Sequence, residues 1–583
     1  MNNADSTLPP REFKSWQWLC ALAFAVALAL FAWMFFADVF AYKEIGCEAL
    51  DKPLAVAHVF KVREKNVSLR EYMQNDPVWA DMKREDLQWS YAYAGKRFQY
   101  EFFACQAPLL SLCYVPFVKL FGVSTAAVTL YSTFFATATV LLMAWLAWKA
   151  FDGWHAIAAI LCMTGSLIWL IHVKAAHASW MPSVFLLCGM ACCLRVYASD
   201  GRRGALGVAA ACLGLLYLTG WLSHVVGFFL LALVMLVMRR RPLKTFFMDG
   251  LLVVAVTVTT ILVVSGGYAA WAHCSFREIH ATMFDDMFNR FSLGGVPVLE
   301  KLSFPEKLAY AVRCLVMDSA TPDHVDKCLE GQPAIPPLFS LFTVIGALYA
   351  IKNRNASDKL VLLWLVAVFG LLGTAMTYTH RYVLLGLPAM ALLASRGIVG
   401  LGNDLRRLNA RAAHGYAWLV GAAFCITIHS THHSYFEDYL HHKRPEFEVD
   451  RERGRGVLAQ WVRDHYSPED TLVVYGDPIL FGRTFGMFYF FDRPFRFMYW
   501  SNYFNSRSTA GQVKAWEQTQ LSRFRRLVFV FSPVLMGDPQ TQDFKNDYRP
   551  FIAAHGNIKP AFVHSYAGRV LFFAFEINRD SPQ

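Results

Sequence analysis

Charged residues are scarce in this chain of 583 residues: Asp, Glu, Lys and Arg make up 17% of it, whereas hydrophobic residues make up 56%. Soluble globular proteins carry about 25% charged residues, so this composition excludes an ordinary soluble protein. Internal repeats and low-complexity tracts are also absent from the sequence, which excludes a solenoid. The composition is that of a polytopic membrane protein.

Several chemical motifs are missing as well. The 13 cysteines include no CxxC pair and therefore give no sign of a zinc site. The apolar segments contain few ionisable residues, which argues against an ion pump, because a pump needs carboxylates at mid-membrane depth. The net charge of +11 lies largely in short loops between apolar segments. We interpret it as a topology signal and a contact with anionic lipids, and we expect no nucleic-acid partner.

Five cysteines fall in segments that we place outside the membrane, and eight lie in or against apolar runs. In an oxidising compartment Cys47 could pair with Cys105, or Cys314 with Cys328, but spacing alone does not decide this.

The apolar pattern predicts about eleven transmembrane helices. They cover residues 16–37, 124–148, 155–172, 178–197, 204–220, 222–238, 246–267, 335–351, 360–378, 382–400 and 416–432. If the N-terminus is cytoplasmic, every substantial cytoplasmic loop is short and basic, as the positive-inside rule requires. The transmembrane domain then covers residues 1–432, with external loops at 38–122 and 268–333.

Residues 433–583 return to a soluble composition. Segments 471–476, 527–531 and 570–575 have the pattern of buried strands, and 457–462 has a helical period. This predicts a small α/β domain outside the membrane. It carries no Gly-rich phosphate loop and no nucleophile elbow, so we expect it to act as a lid or as a platform for an acceptor.

Asp38 directly follows the first apolar run, at the boundary between hydrocarbon and water. A carboxylate at this depth is costly unless it is solvated or paired. One interpretation is that the helix ends here and the acid reaches water. The other is that Asp38 is a catalytic base held at the membrane surface.

Further polar side chains lie at the predicted outer ends of the helices. They are Tyr42, Lys43, Glu44, Lys96, Arg97, Glu101, His172, Lys174, His177, His224, His380 and Arg381. Simpler explanations exist: loop polarity for residues 172–177, a satisfied turn histidine for His224, and headgroup anchoring for Lys96 and Arg97. Asp285 and Asp286 are a weak signal for a cation. Together, these side chains favour a site open to both lipid and water.

Three passages carry a family resemblance. The first is Asp38 with Tyr42, the second is Gln106–Leu110 followed by Leu120–Gly122, and the third is His380-Arg381-Tyr382 followed by Leu387-Pro388. In this order they resemble the GT-C membrane glycosyltransferases that use a polyprenyl-phosphate sugar. That superfamily includes protein O-mannosyltransferases and the aminoarabinose transferase that modifies lipid A.

The resemblance implies an inverting transfer of a sugar from a polyprenyl-phosphate donor to an extracytoplasmic lipid A, glycan or protein. Asp38 would be the general base. Arg381, with His380, Lys96 and Arg97, would bind the donor phosphate. Tyr42, Lys43, Glu44, Glu101, His177 and Tyr382 would line the substrate site. Relatives often place a second Asp near the position of His177, so the presence of a divalent cation stays open.

The implied fold is a GT-C-like polytopic α-helical membrane protein with an extracytoplasmic α/β domain. The implied setting is a bacterial inner membrane, with the N-terminus cytoplasmic and the C-terminal domain periplasmic. Two rival functions are a flippase for lipid-linked glycans and a non-catalytic assembly protein. A flippase should line a transmembrane cavity with cations, whereas this chain keeps its cations at helix ends.

Overall fold

The computed structural model of the protein describes residues 10–36, 47–68, 71, 107–176, 181–238, 242–283, 303–316, 335–374, 380–434, 455–475, 495–500, 503–504, 507–531, 549–556, 558–566 and 569–579. Up to residue 434 the described part is helical, and beyond it a five-stranded sheet is flanked by helices. This division agrees with the change in composition along the sequence.

The helices of the first part are α1 (Pro10–Phe36), α2 (Cys47–Lys65), α3 (Pro108–Phe121), α4 (Thr125–Ala150), α5 (Gly153–Thr164), α6 (Leu167–Ile171), α7 (Met181–Asp200), α8 (Arg203–Tyr217), α9 (Trp221–Leu233), α10 (Leu243–Ala272), α11 (Phe304–Val316), α12 (Pro337–Asn353), α13 (Ala356–Thr374), α14 (Leu387–Leu408) and α15 (Ala410–His433). Helix α6 continues into a π-helical segment, His172–Ala176, called the π turn below. A 3₁₀ segment, His380–Leu385, precedes α14 and is called the 3₁₀ turn.

Each of the eleven predicted transmembrane segments coincides with a helix or with a pair of consecutive helices. In the described residues, however, only four helices are long and apolar enough to cross a membrane, namely α1 from Trp18 onward, α4, α7 and α10. The pair α5–α6, whose halves are bent by 64°, would be a fifth if it forms one span. The prediction of a helical fold with several apolar helices is therefore confirmed, whereas the count of eleven spans is not.

Contacts between helices define two ends of the bundle. At one end, which we call the Asp358 end, Arg195 of α7 donates to the Ser357 hydroxyl at 2.9 Å and to the Lys149 carbonyl at 2.8 Å. At the other, the Lys174 end, the ring of Trp33 near the end of α1 stacks on His432 of α15 with centroids 4.8 Å apart. The last described turn of α1 therefore lies beside the end of α15.

The bend between α5 and α6 is packed closely from two sides. A Cβ atom added to Gly165 would lie 3.0 Å from Cζ of Phe339. On the other side, the Thr431 hydroxyl donates to the Gly165 carbonyl at 2.8 Å. An added methyl group would displace the Phe339 ring by a few tenths of an ångström, so glycine at position 165 favours the close approach of α12 and α15 to the bend.

Helix α2 was not predicted from the sequence, where residues 38–122 were interpreted as a polar external loop. It forms because Leu54, Ala55, Val56, Val59 and Val62 supply apolar surface at helical spacing. All residues from 52 to 59 are buried, since α2 packs against α3, α4, α10 and the π turn.

The sheet of the C-terminal part has the strand order β2-β1-β3-β5-β4. The strands are β1 (Thr471–Tyr475), β2 (Arg496–Tyr499), β3 (Arg526–Phe531), β4 (Phe562–Tyr566) and β5 (Arg569–Asn578). Strands β2, β1 and β3 are parallel, whereas β5 pairs antiparallel with both β3 and β4. The strands predicted in segments 471–476, 527–531 and 570–575 are confirmed as β1, β3 and β5.

Helices cover both faces of this sheet. Helix α16 (Arg455–His465) packs Leu458, Ala459 and Val462 against Val473 of β1. Helices α17 (Ala510–Arg523) and α18 (Arg549–His555) cover the opposite face through a second apolar cluster. Because both faces are buried, the central strands are apolar along their whole length, and this made them visible in the sequence.

Candidate functional site

Most of the predicted site residues lie outside the described residues. These are Asp38, Tyr42, Lys43, Glu44, Lys96, Arg97, Glu101, His177, Asp285, Asp286, Cys105 and Cys328. His380, Arg381 and Tyr382 lie in the 3₁₀ turn, where the structure describes the backbone. The roles of all these residues stay predictions, and the site is built here from the elements around them.

The 3₁₀ turn that carries Arg381 is held among four helices, α6, α7, α13 and α14. Its last carbonyl, that of Leu385, accepts a hydrogen bond from the indole Nε1 of Trp364 at 2.9 Å. The turn is separated from α14 because Pro388, in the first turn of that helix, has no N–H to continue a helical ladder. This break places Arg381 at the Lys174 end, beside α6.

The π turn continues α6, the helix that contacts the 3₁₀ turn, and begins at His172. His172 and Lys174 are 1% and 0% exposed. The sequence placed both in a short external loop, and this is wrong: a helical segment that contacts α4 and α2 encloses them. Single π-helical turns within α-helices occur frequently at functional sites.

Helix α2 brings two more basic side chains to the same end. Lys52 and His58 are buried, at 5% and 4% exposure. Burial, with a smaller effect from the neighbouring charge of Lys61, lowers the pKa of His58 from its usual 6.5 to about 3. His58 is therefore neutral at physiological pH.

The buried acidic side chains lie elsewhere. In the described part of the chain they are Asp249 and Asp358, at the Asp358 end, and Glu517 in the C-terminal domain. No buried carboxylate is therefore described at the Lys174 end, where Lys52, His58, His172 and Lys174 are buried. In a medium of low dielectric constant, cations bind an anion far more strongly than in water, so this end is suited to a phosphate group.

His224 is a histidine whose ring is hydrogen-bonded at a turn, which was the simpler of its two interpretations. His224 lies in the first turn of α9, and its Nδ1 lies 3.1 Å from the carbonyl of Leu213, so the ring donates to the backbone of α8. Tyr217 packs edge-on against its ring, with centroids 5.4 Å apart. We therefore assign His224 a structural role.

A metal centre finds no support in the described ranges, where no group of three or more His, Cys, Asp or Glu side chains comes together. Described cysteines such as Cys274, Cys188 and Cys192 are free thiols. The divalent cation left open by the sequence stays a prediction, and so do the two cysteine pairs.

Three residues at this end were missed in the sequence: Lys52, His58 and Trp364. The apolar spacing of residues 54–62 was a usable signal for α2, but charged residues on both sides of it obscured the helix. Trp364 sits in an apolar helix where any large side chain is expected, so its hydrogen bond had no signal in the sequence.

No family model and no curated protein matches the sequence. The fold, in contrast, is similar to solved structures. ArnT from Cupriavidus metallidurans in the apo state matches with a TM-score of 0.53 and 14% identity, over 96% of this chain and 98% of that chain. The same protein bound to undecaprenyl phosphate gives a TM-score of 0.54, with the same identity and coverage.

An oligosaccharyltransferase from Archaeoglobus fulgidus in the apo form matches with a TM-score of 0.51 and 12% identity, over 92% of this chain and 71% of that chain. ArnT and this oligosaccharyltransferase are both members of the GT-C superfamily. At such low identity the likeness concerns the fold. It agrees with the fold that the GT-C resemblance implied.

Proposed function

We propose that the protein is an inverting glycosyltransferase that moves a sugar from a polyprenyl-phosphate donor to an extracytoplasmic lipid, glycan or protein acceptor. The observation that carries this proposal is the collection of buried basic side chains at the Lys174 end. It is supported by a fold similar to that of ArnT, which has been solved with undecaprenyl phosphate bound.

The donor's leaving group is a lipid phosphate, whose developing negative charge must be neutralised as the bond to the sugar breaks. Arginine suits this task because its guanidinium binds phosphate through two parallel hydrogen bonds. Arg381 is the proposed principal ligand, assisted by Lys174, which is fully buried in the adjacent π turn. His380, Lys96 and Arg97 complete the proposed phosphate-binding set.

Asp38 is the proposed general base. It takes the proton from the acceptor hydroxyl as that oxygen attacks the anomeric carbon from the side opposite the phosphate, and the anomeric configuration inverts. Positioned general bases contribute typically about 10²–10⁴-fold to the rate. Tyr42, Lys43, Glu44, Glu101, His177 and Tyr382 are the proposed contacts to the sugar and the acceptor. No step here requires a metal ion.

The proposed orientation follows from the charge of the loops. The N-terminus is cytoplasmic, so the Lys174 end and the C-terminal α/β domain face the periplasm of a bacterium, where lipid-linked donors meet their acceptors. The domain boundary near residue 433 is part of the same proposal.

The test is the substitution Asp38→Asn in the full-length protein. We expect sugar transfer to fall by at least about 100-fold, while membrane insertion and binding of undecaprenyl phosphate persist. Full transfer activity in Asp38→Asn would remove this base from the mechanism. Lipid translocation without consumption of the donor would instead indicate a flippase. Glu71→Gln, which removes an exposed carboxylate of the same predicted external loop, is the matched control.

A further inference from the structure

The 3₁₀ turn that carries Arg381 lies within a helical break, and a break must be held in place by contacts from outside. Among the contacts that hold the 3₁₀ turn, two come from side chains of α13. The indole N–H of Trp364 donates to the Leu385 carbonyl at 2.9 Å. One residue further on, Gly386 approaches so closely that an added Cβ would lie 3.2 Å from Cγ1 of Val368.

Trp364 is fully buried in the bundle core, and so is the backbone carbonyl that it reaches. A buried carbonyl without a donor is costly, and in an apolar surrounding there is no water to replace the indole. Leu385 follows Arg381 by four residues. At about 2.0 Å of rise per residue in a 3₁₀ helix, the anchored carbonyl lies about 8 Å along the turn from the guanidinium-bearing residue.

We propose that Trp364 is a positioning residue for phosphate binding: its hydrogen bond to Leu385 holds the 3₁₀ turn where Arg381 meets the phosphate of a polyprenyl-phosphate lipid. This inference rests on the proposed function, because it assigns Arg381 to that phosphate. Trp364 itself does not touch the lipid. It acts by removing the freedom of the turn, so that little conformational entropy is lost when the phosphate binds.

The probe is radiolabelled undecaprenyl phosphate, titrated against the purified full-length protein in lipid nanodiscs. Four proteins are compared with the unaltered one: Trp364→Phe, Arg381→Ala, the double variant, and Trp148→Phe. Phenylalanine keeps most of the packing volume of Trp364 and removes its N–H. Trp148 is the matched control, because it is a half-exposed tryptophan of α4 that packs edge-on against Phe24.

We expect Trp364→Phe to weaken binding about tenfold, as the loss of one buried hydrogen bond does, and Trp148→Phe to bind as the unaltered protein does. The decisive comparison is the double variant. If Trp364 acts through Arg381, the double variant loses no more affinity than Arg381→Ala alone, because the position of the turn no longer matters. A merely structural tryptophan would give additive losses.

Additive losses, or unaltered binding by Trp364→Phe beside weakened binding by Arg381→Ala, would overturn this inference and leave the proposed function intact. Absence of undecaprenyl phosphate binding by the unaltered protein would overturn both. If Trp364→Phe does not fold, Gly386→Ala replaces it, because its new methyl group presses the turn away from Val368. The same non-additivity with Arg381→Ala is then expected, and its absence counts against the inference.

Discussion

The two ends of the helical bundle bury their ionisable groups in opposite ways. At the Asp358 end, Asp358 lies 3.2 Å from Arg396, and Asp249 lies 2.9 Å from Arg203 and 2.6 Å from the Tyr197 hydroxyl. At the Lys174 end, the described buried side chains include two lysines and two histidines. At the Asp358 end the described buried acids contact arginine and tyrosine side chains, whereas no buried carboxylate is described at the Lys174 end.

The difference separates structural from functional charge. A buried pair that is balanced in sign stabilises a particular arrangement of helices, because losing either partner leaves an uncompensated charge. Buried basic groups at the same end of the bundle are suited to bind an external anion, which we propose is the lipid phosphate. We therefore expect substitutions at the Asp358 end to change stability, and substitutions at the Lys174 end to change the binding of the lipid phosphate.

The largest expected effect is that of Asp358→Ala. This change leaves Arg396, whose side chain is 16% exposed, without its carboxylate. We expect the unfolding free energy to fall by about 3 kcal/mol, measured as a lower Tm in nanodiscs, with an unchanged Kd for undecaprenyl phosphate. A weakened Kd at unchanged Tm would show that the two ends do not divide the roles in this way.

Lys174→Met tests the proposed role of the Lys174 end in binding the lipid phosphate. Methionine fills much of the same volume without the charge, so the lipid phosphate loses a cation in a buried site. We expect the Kd for undecaprenyl phosphate to rise about thirtyfold, or about 2 kcal/mol. Lys352→Met, an exposed lysine near the end of α12, is the control and should bind normally. Equal Kd values for the two variants would refute a role for Lys174.

The pH dependence of stability tests the burial of His58. Because its pKa is lowered to about 3, the unfolded chain takes up a proton near pH 6.5 that the folded protein does not. The burial of His58 therefore leaves the unfolding free energy unchanged above pH 6.5 and lowers it progressively as the pH falls towards 3. The loss of unfolding free energy is about 1.4 kcal/mol at pH 5.5.

We therefore expect Tm to fall between pH 7.5 and pH 5.5, and to fall less in His58→Leu. The exposed His429 provides the control, since His429→Gln should keep the pH dependence of the unaltered protein. An identical fall in His58→Leu would mean that His58 is not the group responsible.

The smallest expected effect is that of Tyr349→Phe at the Asp358 side of α12. The phenol donates to Asp404 of α14 at 2.6 Å and is only partly buried. Its loss should lower stability by about 1 kcal/mol and leave the Kd for undecaprenyl phosphate unchanged. A change in binding free energy larger than the change in unfolding free energy would contradict the assignment of stability to the Asp358 end and of binding to the Lys174 end.

The sequence predicted the helices of the membrane part and three strands of the sheet, because each is a run of apolar residues with a clear period. Strands β2 and β4 lie at the edges of the sheet and carry fewer buried residues, so their pattern was too weak to detect. Helix α2 was missed for a related reason: its buried face contains Lys52 and His58, which look like loop residues in a linear pattern.

The sequence supplied the residue types of the proposed site but not their arrangement. Basic residues near helix ends can be counted from the sequence, and Arg381 was proposed in this way. Whether Lys174 faces water or is buried depends on its enclosure by α2, whose position is set by packing against α3, α4 and α10. Contacts of this kind join segments that are distant in sequence, and a local pattern does not contain them.

The stacking of Trp33 on His432 ties together the first and the last helix of the membrane part. The chain therefore leaves α15 beside the end of α1. Residues 435–454 separate α15 from α16, and a connection of this length spans at most about 70 Å when fully extended. An acceptor bound to the sheet domain would therefore stay tethered to the membrane part, which would raise its effective concentration at the proposed site.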